Sequence, residues 1–122
     1  MSITESDSKT IKNLILQSDK PVLVDFFAHW CGPCKSMDQT IKELATNYES
    51  KIEVLKVDID QHSDLAKSYS IQSIPTLVFF KNGQESRRSI GALSKQQLEK
   101  FVSAELEDTN VEPISKGSCC AG

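Results

Sequence analysis

An apolar run from Val22 to Ala28 leads through His29 into Trp30, Cys31, Gly32, Pro33 and Cys34, and this junction restricts the fold more than any other stretch. A nearly continuous apolar segment of that length has the pattern of a parallel strand covered on both faces. Pro33 fits the first turn of a helix, where its missing N–H is no loss, and Met37, Ile41, Leu44, Ala45 and Tyr48 then recur at helical spacing. A buried strand therefore passes directly into a helix whose first turn carries two cysteines, which points to an α/β architecture.

The same two cysteines carry the chemistry. Separated by two residues, Cys31 and Cys34 can close a small disulfide ring and reopen it without large backbone movement, storing and releasing two electrons. The first sulfur must be a reachable thiolate, and the unpaired N–H groups of a helix starting here would lower its pKa. A zinc site would need a second ligand pair, but Cys119 and Cys120 are adjacent, and His29 and His62 offer no paired spacing. A purely structural disulfide is disfavoured because so small a ring removes little entropy from the unfolded chain.

The 122 residues suit one domain with a real core. Fourteen basic against seventeen acidic residues give a net charge of -3, and Arg87–Arg88 is the only dibasic pair, so nothing favours a nucleic-acid partner. The polar start, Met1 to Lys12, has no apolar signal core, and no stretch approaches the roughly 18 apolar residues of a membrane span. A cytoplasmic, reducing location is the expectation.

Taken in order, Ile3 and Thr4 suit a short edge strand, and Ser6 or Asp7 a cap for a helix with Ile11, Leu14 and Ile15 inward. Within the run from Val22 to Ala28, Asp25 places a carboxylate in a two-sided buried strand, which is costly unless it is paired or protonated. Strongly perturbed acids gather at reactive sites, so a functional role is favoured over a purely structural one. A second buried strand, Ile52 to Ile59, contains Lys56 on the same face as Val54. Its ammonium has two destinations, the surface by snorkelling or the neighbourhood of Asp25. The strand, helix and strand form a βαβ unit.

A short helix follows over Asp60 to Tyr69, with Leu65, Ala66 and Tyr69 inward. Pro75 cannot donate to a strand ladder and so sits at the start of the strand Thr76 to Phe80. Asn82-Gly83 is the strongest short hairpin signal and predicts antiparallel pairing with Gln84 to Ile90. Ser94 and Gln97 make a capping box for a last helix with Leu98, Phe101, Val102 and Leu106 inward. The periodicity stops after Glu107, giving a domain over 1–107 and a flexible tail over 108–122.

The chain from Ile3 to Glu107 resembles the thioredoxin family: VDFFAHWCGPCK around the cysteines, KVDID in the second strand, SIPTLVFFKNG across the proline and hairpin, and Ile90, Gly91, Ala92 before the last helix. The resemblance implies an α/β thioredoxin fold, a central mixed sheet in βαβαβαββα order with helices on both faces. It implies a general protein-disulfide reductase, a thiol–disulfide oxidoreductase serving electron transport and cell redox homeostasis. Cys31 would attack a partner's disulfide and Cys34 would resolve the mixed disulfide. Asp25 would handle the Cys34 proton through water, tuned by Lys56. Pro75 would be cis, and Trp30, Gly32, Pro33, Ile74, Pro75 and Gly91 would form the substrate surface. The resemblance also implies no bound cofactor beyond the redox-active Cys31–Cys34 disulfide and no metal. The implied partners are an NADPH-dependent thioredoxin reductase and many disulfide-containing proteins, with neither nucleic acid nor, unless the tail is lipidated, a membrane.

Departures from the family pattern are also visible. Phe27 stands where tryptophan is frequent, a change within aromatic packing, and Gln39 replaces a kinking proline, which predicts a straighter helix. Asp38 and His29 are read as solvated. Cys119 and Cys120 lie beyond the usual end of the family, with three readings: a vicinal dithiol relaying electrons to or from Cys31, a lipidation site, or accessory thiols. Gly32 and Pro33 resemble the reducing branch of the family rather than its oxidases and isomerases, and a binding module without turnover is the other class open to this surface.

Overall fold

The computed structural model describes residues 8–110, with side chains through Leu106. The elements are α1 (Ser8–Gln17), β1 (Val22–Phe27), α2 (Gly32–Asn47), β2 (Glu53–Asp58), α3 (Ser63–Ser68), β3 (Thr76–Lys81), β4 (Gln84–Ile90) and α4 (Lys95–Asn110). The expected first strand at Ile3 and Thr4, the caps Ser6 and Asp7, and the tail cysteines Cys119 and Cys120 lie outside the described residues.

Four strands form one mixed sheet in the order β2-β1-β3-β4. β1 pairs parallel with β2, setting Asp25 opposite Lys56, and antiparallel with β3, setting Asp25 opposite Leu77. Parallel pairing requires a crossover, and α2 supplies it, as the strand–helix–strand reading of the sequence requires. Asn82 and Gly83 both have positive φ, 55° and 82°, the backbone of a tight turn matched to the twist of the two strands. The register shifts between Phe79 and Phe80, and beyond this irregularity Ser86 and Arg87 meet the buried Glu105 described below.

Alternation along the strands divides the core into two layers. Leu23, Val54, Leu77 and Phe79 face α2 and α4, where Met37, Ile41, Leu44, Ala45, Leu98 and Val102 meet them. Val22, Val24, Phe26, Leu55, Val57, Val78 and Phe80 face the other way, onto Ile11 and Ile15 of α1 and Leu65 of α3. Leu14, expected inward, is 39 % exposed. It lines an open cleft of about 520 Å³ with Lys20, Val22 and Glu53, at the sheet end away from the cysteines.

The capping box at α4 forms as expected: Ser94 N–H donates to Gln97 Oε1 at 2.9 Å and Gln97 N–H donates to Ser94 Oγ at 3.2 Å. The helix then continues past Glu107 to Asn110, because the first strong breaker, Pro113, lies further on. Glu105, unremarkable in the sequence, is fully buried. It accepts from Ser86 Oγ at 2.7 and 2.9 Å and from Arg87 Nε at 3.0 Å. The dibasic pair is thus structural: Arg87 holds Glu105, and Arg88 bridges Glu85 and the carbonyl of Tyr69.

Candidate active site

The cysteine pair sits where β1 ends and α2 begins, closed as a Cys31–Cys34 disulfide. Cys31 is itself the N-cap of α2, in extended backbone, and its Sγ accepts the Cys34 N–H at 3.1 Å. Pro33 occupies the first helical turn, where no intrahelical donor is lost. An acceptor sulfur at a helix N-terminus receives both a direct hydrogen bond and the positive end of the helix dipole, the two influences that favour a thiolate.

The sulfurs are less open than the sequence suggests. Cys31 is 4 % exposed and Cys34 5 %, packed with Ala28 and against Phe27, Ile59 and Ile74. In the oxidised pair both sulfur-bearing residues therefore present only a narrow edge to solvent. Around it the surface is open: Trp30 is 69 % and Ile90 66 % exposed, and a Cβ on Gly32 would meet nothing within 4 Å.

The loop that precedes β3 supplies the opposite wall. The Ile74–Pro75 peptide is cis, Ile74 packs on the cysteine cluster, and the Pro75 carbonyl accepts the Gly91 N–H at 2.8 Å. Gly91 has φ of 100°, a conformation that glycine adopts without strain. Trp30, Gly32, Pro33, Ile74, Pro75 and Gly91 therefore frame the disulfide from three segments of the chain. Ile90, next to Gly91 and exposed, adjoins this frame, although in the sequence it reads only as part of the Ile90-Gly91-Ala92 stretch and not as a site residue.

Asp25, on the strand that leads into the cysteine loop, is 2 % exposed, with Oδ1 lacking a hydrogen-bond partner among the described residues. Burial pushes its pKa up from 3.8 to about 7, against the opposing pull of the Lys56 charge and with a smaller push from Asp38. Lys56 neither snorkels freely nor bonds Asp25. Its side chain is 15 % exposed, and its ammonium pairs with the Asp38 carboxylate and lies 4.5 Å from the centroid of the Phe27 ring.

Of the two side chains expected to be solvated, His29 is, with 78 % of its side chain exposed, whereas Asp38 needs correcting. Asp38 is held between Lys56 and Lys42, the latter four residues along α2 at 3.3 Å, because α2 lays it across the sheet beside β2. The hydrogen bond from Lys56 keeps the Asp38 carboxyl below the usual carboxylate range, with partial desolvation opposing. His29, though largely exposed, reaches Asp58 Oδ2 at 3.1 Å and sets its ring edge-on to Phe27 at 5.4 Å. Gln39 lies within α2, which runs unbroken through it.

Two more acids support the site; both belong to the KVDID stretch, but nothing in the sequence assigned either a role there. Asp60 accepts the Trp30 indole N–H at 2.9 Å, and the buried Asp58 caps the Asp60 backbone N–H at 2.9 Å. Both stand at the end of β2 and meet the cysteine loop only because β2 lies beside β1. Among the described residues, no cluster of three or more His, Cys, Asp or Glu side chains is arranged to hold a metal, and no helix is long and apolar enough to cross a membrane.

Comparison with known proteins follows the same geometry. The thioredoxin family model matches residues 2–104. The chain is 44 % identical over 92 residues to a thioredoxin of Pseudomonas aeruginosa, covering 75 % of this chain and 85 % of that protein. It is 45 % identical over 97 residues to thioredoxin 1 of a Nostoc species, covering 80 % and 91 %. It is 43 % identical over 105 residues to a chloroplastic M-type thioredoxin of Spinacia oleracea, covering 83 % and 58 %. A disulfide at a helix N-terminus, a mixed sheet and this breadth of similarity lead to one assignment: the chain belongs to the thioredoxin family of thiol–disulfide oxidoreductases.

Proposed function

We propose that this chain is a general protein-disulfide reductase of the cytoplasm, recharged by an NADPH-dependent flavoprotein thioredoxin reductase, with residues 1–107 as the working domain. The observation that carries the reading is the Cys31 sulfur at the head of α2, accepting the Cys34 N–H at 3.1 Å. A group so placed is a good nucleophile once reduced.

In the reaction, the Cys31 thiolate attacks one sulfur of a target disulfide, and the other target sulfur leaves as a thiolate. The Cys34 thiol loses its proton and attacks Cys31 Sγ, expelling the second target thiolate. Two electrons pass to the target, and the Cys31–Cys34 disulfide remains. Asp25, with a pKa of about 7, is matched to exchange the Cys34 proton at neutral pH. The exposed Trp30 and Ile90 give targets apolar purchase, and an extended target segment can pair with the backbone at Ile74. Cys119 and Cys120 act as accessory thiols in this reading.

The test is trapping. Cys34→Ser accumulates a covalent mixed disulfide through Cys31, and Cys31→Ser abolishes reduction of protein disulfides. Full activity in Cys31→Ser would sink the mechanism. A chain ending at Glu107 keeps its activity in a reductase-coupled assay, whereas a large loss would support relay through the tail.

A further inference from the structure

We propose that Asp38 is a positioning residue, which anchors the Lys56 ammonium against α2 and so limits how far that cation neutralises the buried Asp25 carboxylate. The inference rests on the reading of Asp25 as the proton carrier for Cys34, and adds the control that this chain places upon it.

The geometry is a chain of charges leading outward. Asp25 and Lys56 are register partners on β1 and β2, so the lysine starts beside the buried acid. Its ammonium ends instead on Asp38 of α2, over the Phe27 ring. Lys42, one turn further along α2, grips the other Asp38 oxygen at 3.3 Å. Asp38 is thus held from both sides and in turn holds Lys56. Asp25 keeps one oxygen without a partner among the described residues, although a lysine long enough to approach it stands on the adjacent strand.

Among the described residues, Lys56 and Asp38 are the charges that act on Asp25. Lys56 comes from β2 and Asp38 from α2, with Lys42 behind it, and the cysteine pair at the head of α2 does not titrate while oxidised. Leu77 is its partner from β3, and α4 contributes Leu98 and Val102 to that layer. An anion that withdraws the neighbouring cation also adds its own repulsion, and both influences favour a protonated Asp25. Removing the Asp38 charge reverses both in the same direction: Lys56 is free to lean toward Asp25, and one negative neighbour is gone.

The experiment follows the Asp25 carboxyl carbon by NMR through a pH titration of the oxidised full chain, in wild type, Asp38→Asn, Asp38→Glu, Lys56→Met and the double variant Asp38→Asn with Lys56→Met. The wild-type midpoint is expected at about 7. Asp38→Asn lowers it by about one unit, the shift ordinarily produced by an opposite charge brought within a few ångströms. Asp38→Glu keeps the charge and stays near wild type. Lys56→Met raises the midpoint, and in that background Asp38→Asn lowers it much less. An unmoved or higher midpoint in Asp38→Asn overturns the inference. So does an equal drop with and without Lys56, since Asp38 would then act by its own repulsion or by loosening the site rather than through the lysine.

The underlying reading is tested separately by the rate of mixed-disulfide resolution in Asp25→Asn. If that rate matches wild type from neutral to alkaline pH, the proton-carrier reading fails and the functional meaning of Asp38 fails with it. A slowed rate together with an unmoved carboxyl midpoint in Asp38→Asn overturns the inference alone.

Discussion

Replacing Asp25 with asparagine removes a titration that the folded chain carries at a thermodynamic penalty. The folded acid has its pKa raised from 3.8 to about 7, chiefly by burial. A raised pKa means that the protonated form is the one the fold accommodates. Its contribution is complete below pH 3.8, declines as pH climbs, and is lost above about 7. At about 1.4 kcal/mol per unit, the rise is worth about 4 kcal/mol across that window. The amide of the variant does not titrate, so the stability of Asp25→Asn relative to wild type grows by about that amount between about pH 4 and pH 8. A constant offset lies beneath it, because the amide brings donors into a site where Asp25 Oδ1 already lacks a partner among the described residues, at about 1 to 3 kcal/mol. The variant is therefore less stable than wild type at the acid end of the range and more stable at the alkaline end. Urea unfolding of both proteins in the oxidised state, at several pH values across this range, measures the difference. Curves that stay parallel throughout would refute the argument, since Asp25 would then titrate equally in the folded and unfolded chain.

Three further outcomes follow from the packing. Ser86→Ala takes a hydroxyl from the fully buried Glu105 carboxylate and lowers unfolding free energy by about 1 to 3 kcal/mol; a change below about 0.5 kcal/mol, measured by denaturant unfolding, would contradict it. Gly91→Ala forces a side-chain-bearing residue to φ of 100° with no steric contact to blame, so the loss of about 1 to 3 kcal/mol in the same measurement reports backbone strain alone. Trp30→Ala leaves stability nearly unchanged because the ring is exposed. It raises KM for a protein disulfide about tenfold, as loss of an aromatic anchor does, while reduction of a small-molecule disulfide stays the same.

How much is legible without the structure differs by element. The apolar run of β1, the proline at the head of α2, the Asn82-Gly83 turn and the Ser94–Gln97 cap all act over a few residues, and each is recognisable without knowing what lies beside it. Leu14 is the exception within α1, because helical spacing shows that a face is apolar but not how far the covering sheet extends. The network behind the cysteines is legible only in part. Asp25 announces itself as a charge inside an apolar strand, yet nothing local shows that Asp38 will be paired, and Asp58 and Asp60, although part of KVDID, carry no sign of the partners they meet.

The linear chain by itself determined the order of strands and helices, the redox pair and its helix cap, since those depend on local backbone preference and on residues within one turn of each other. The arrangement in space decided the rest: that Lys56 would pair with Asp38 rather than Asp25, that Asp60 would hold Trp30, and that an apolar collar would surround the oxidised sulfurs. The physical reason is range. Charge pairing and desolvation act through distance in space, and residues as far apart in sequence as Asp38 and Lys56 meet only after β1 and β2 have paired and α2 has been laid across them.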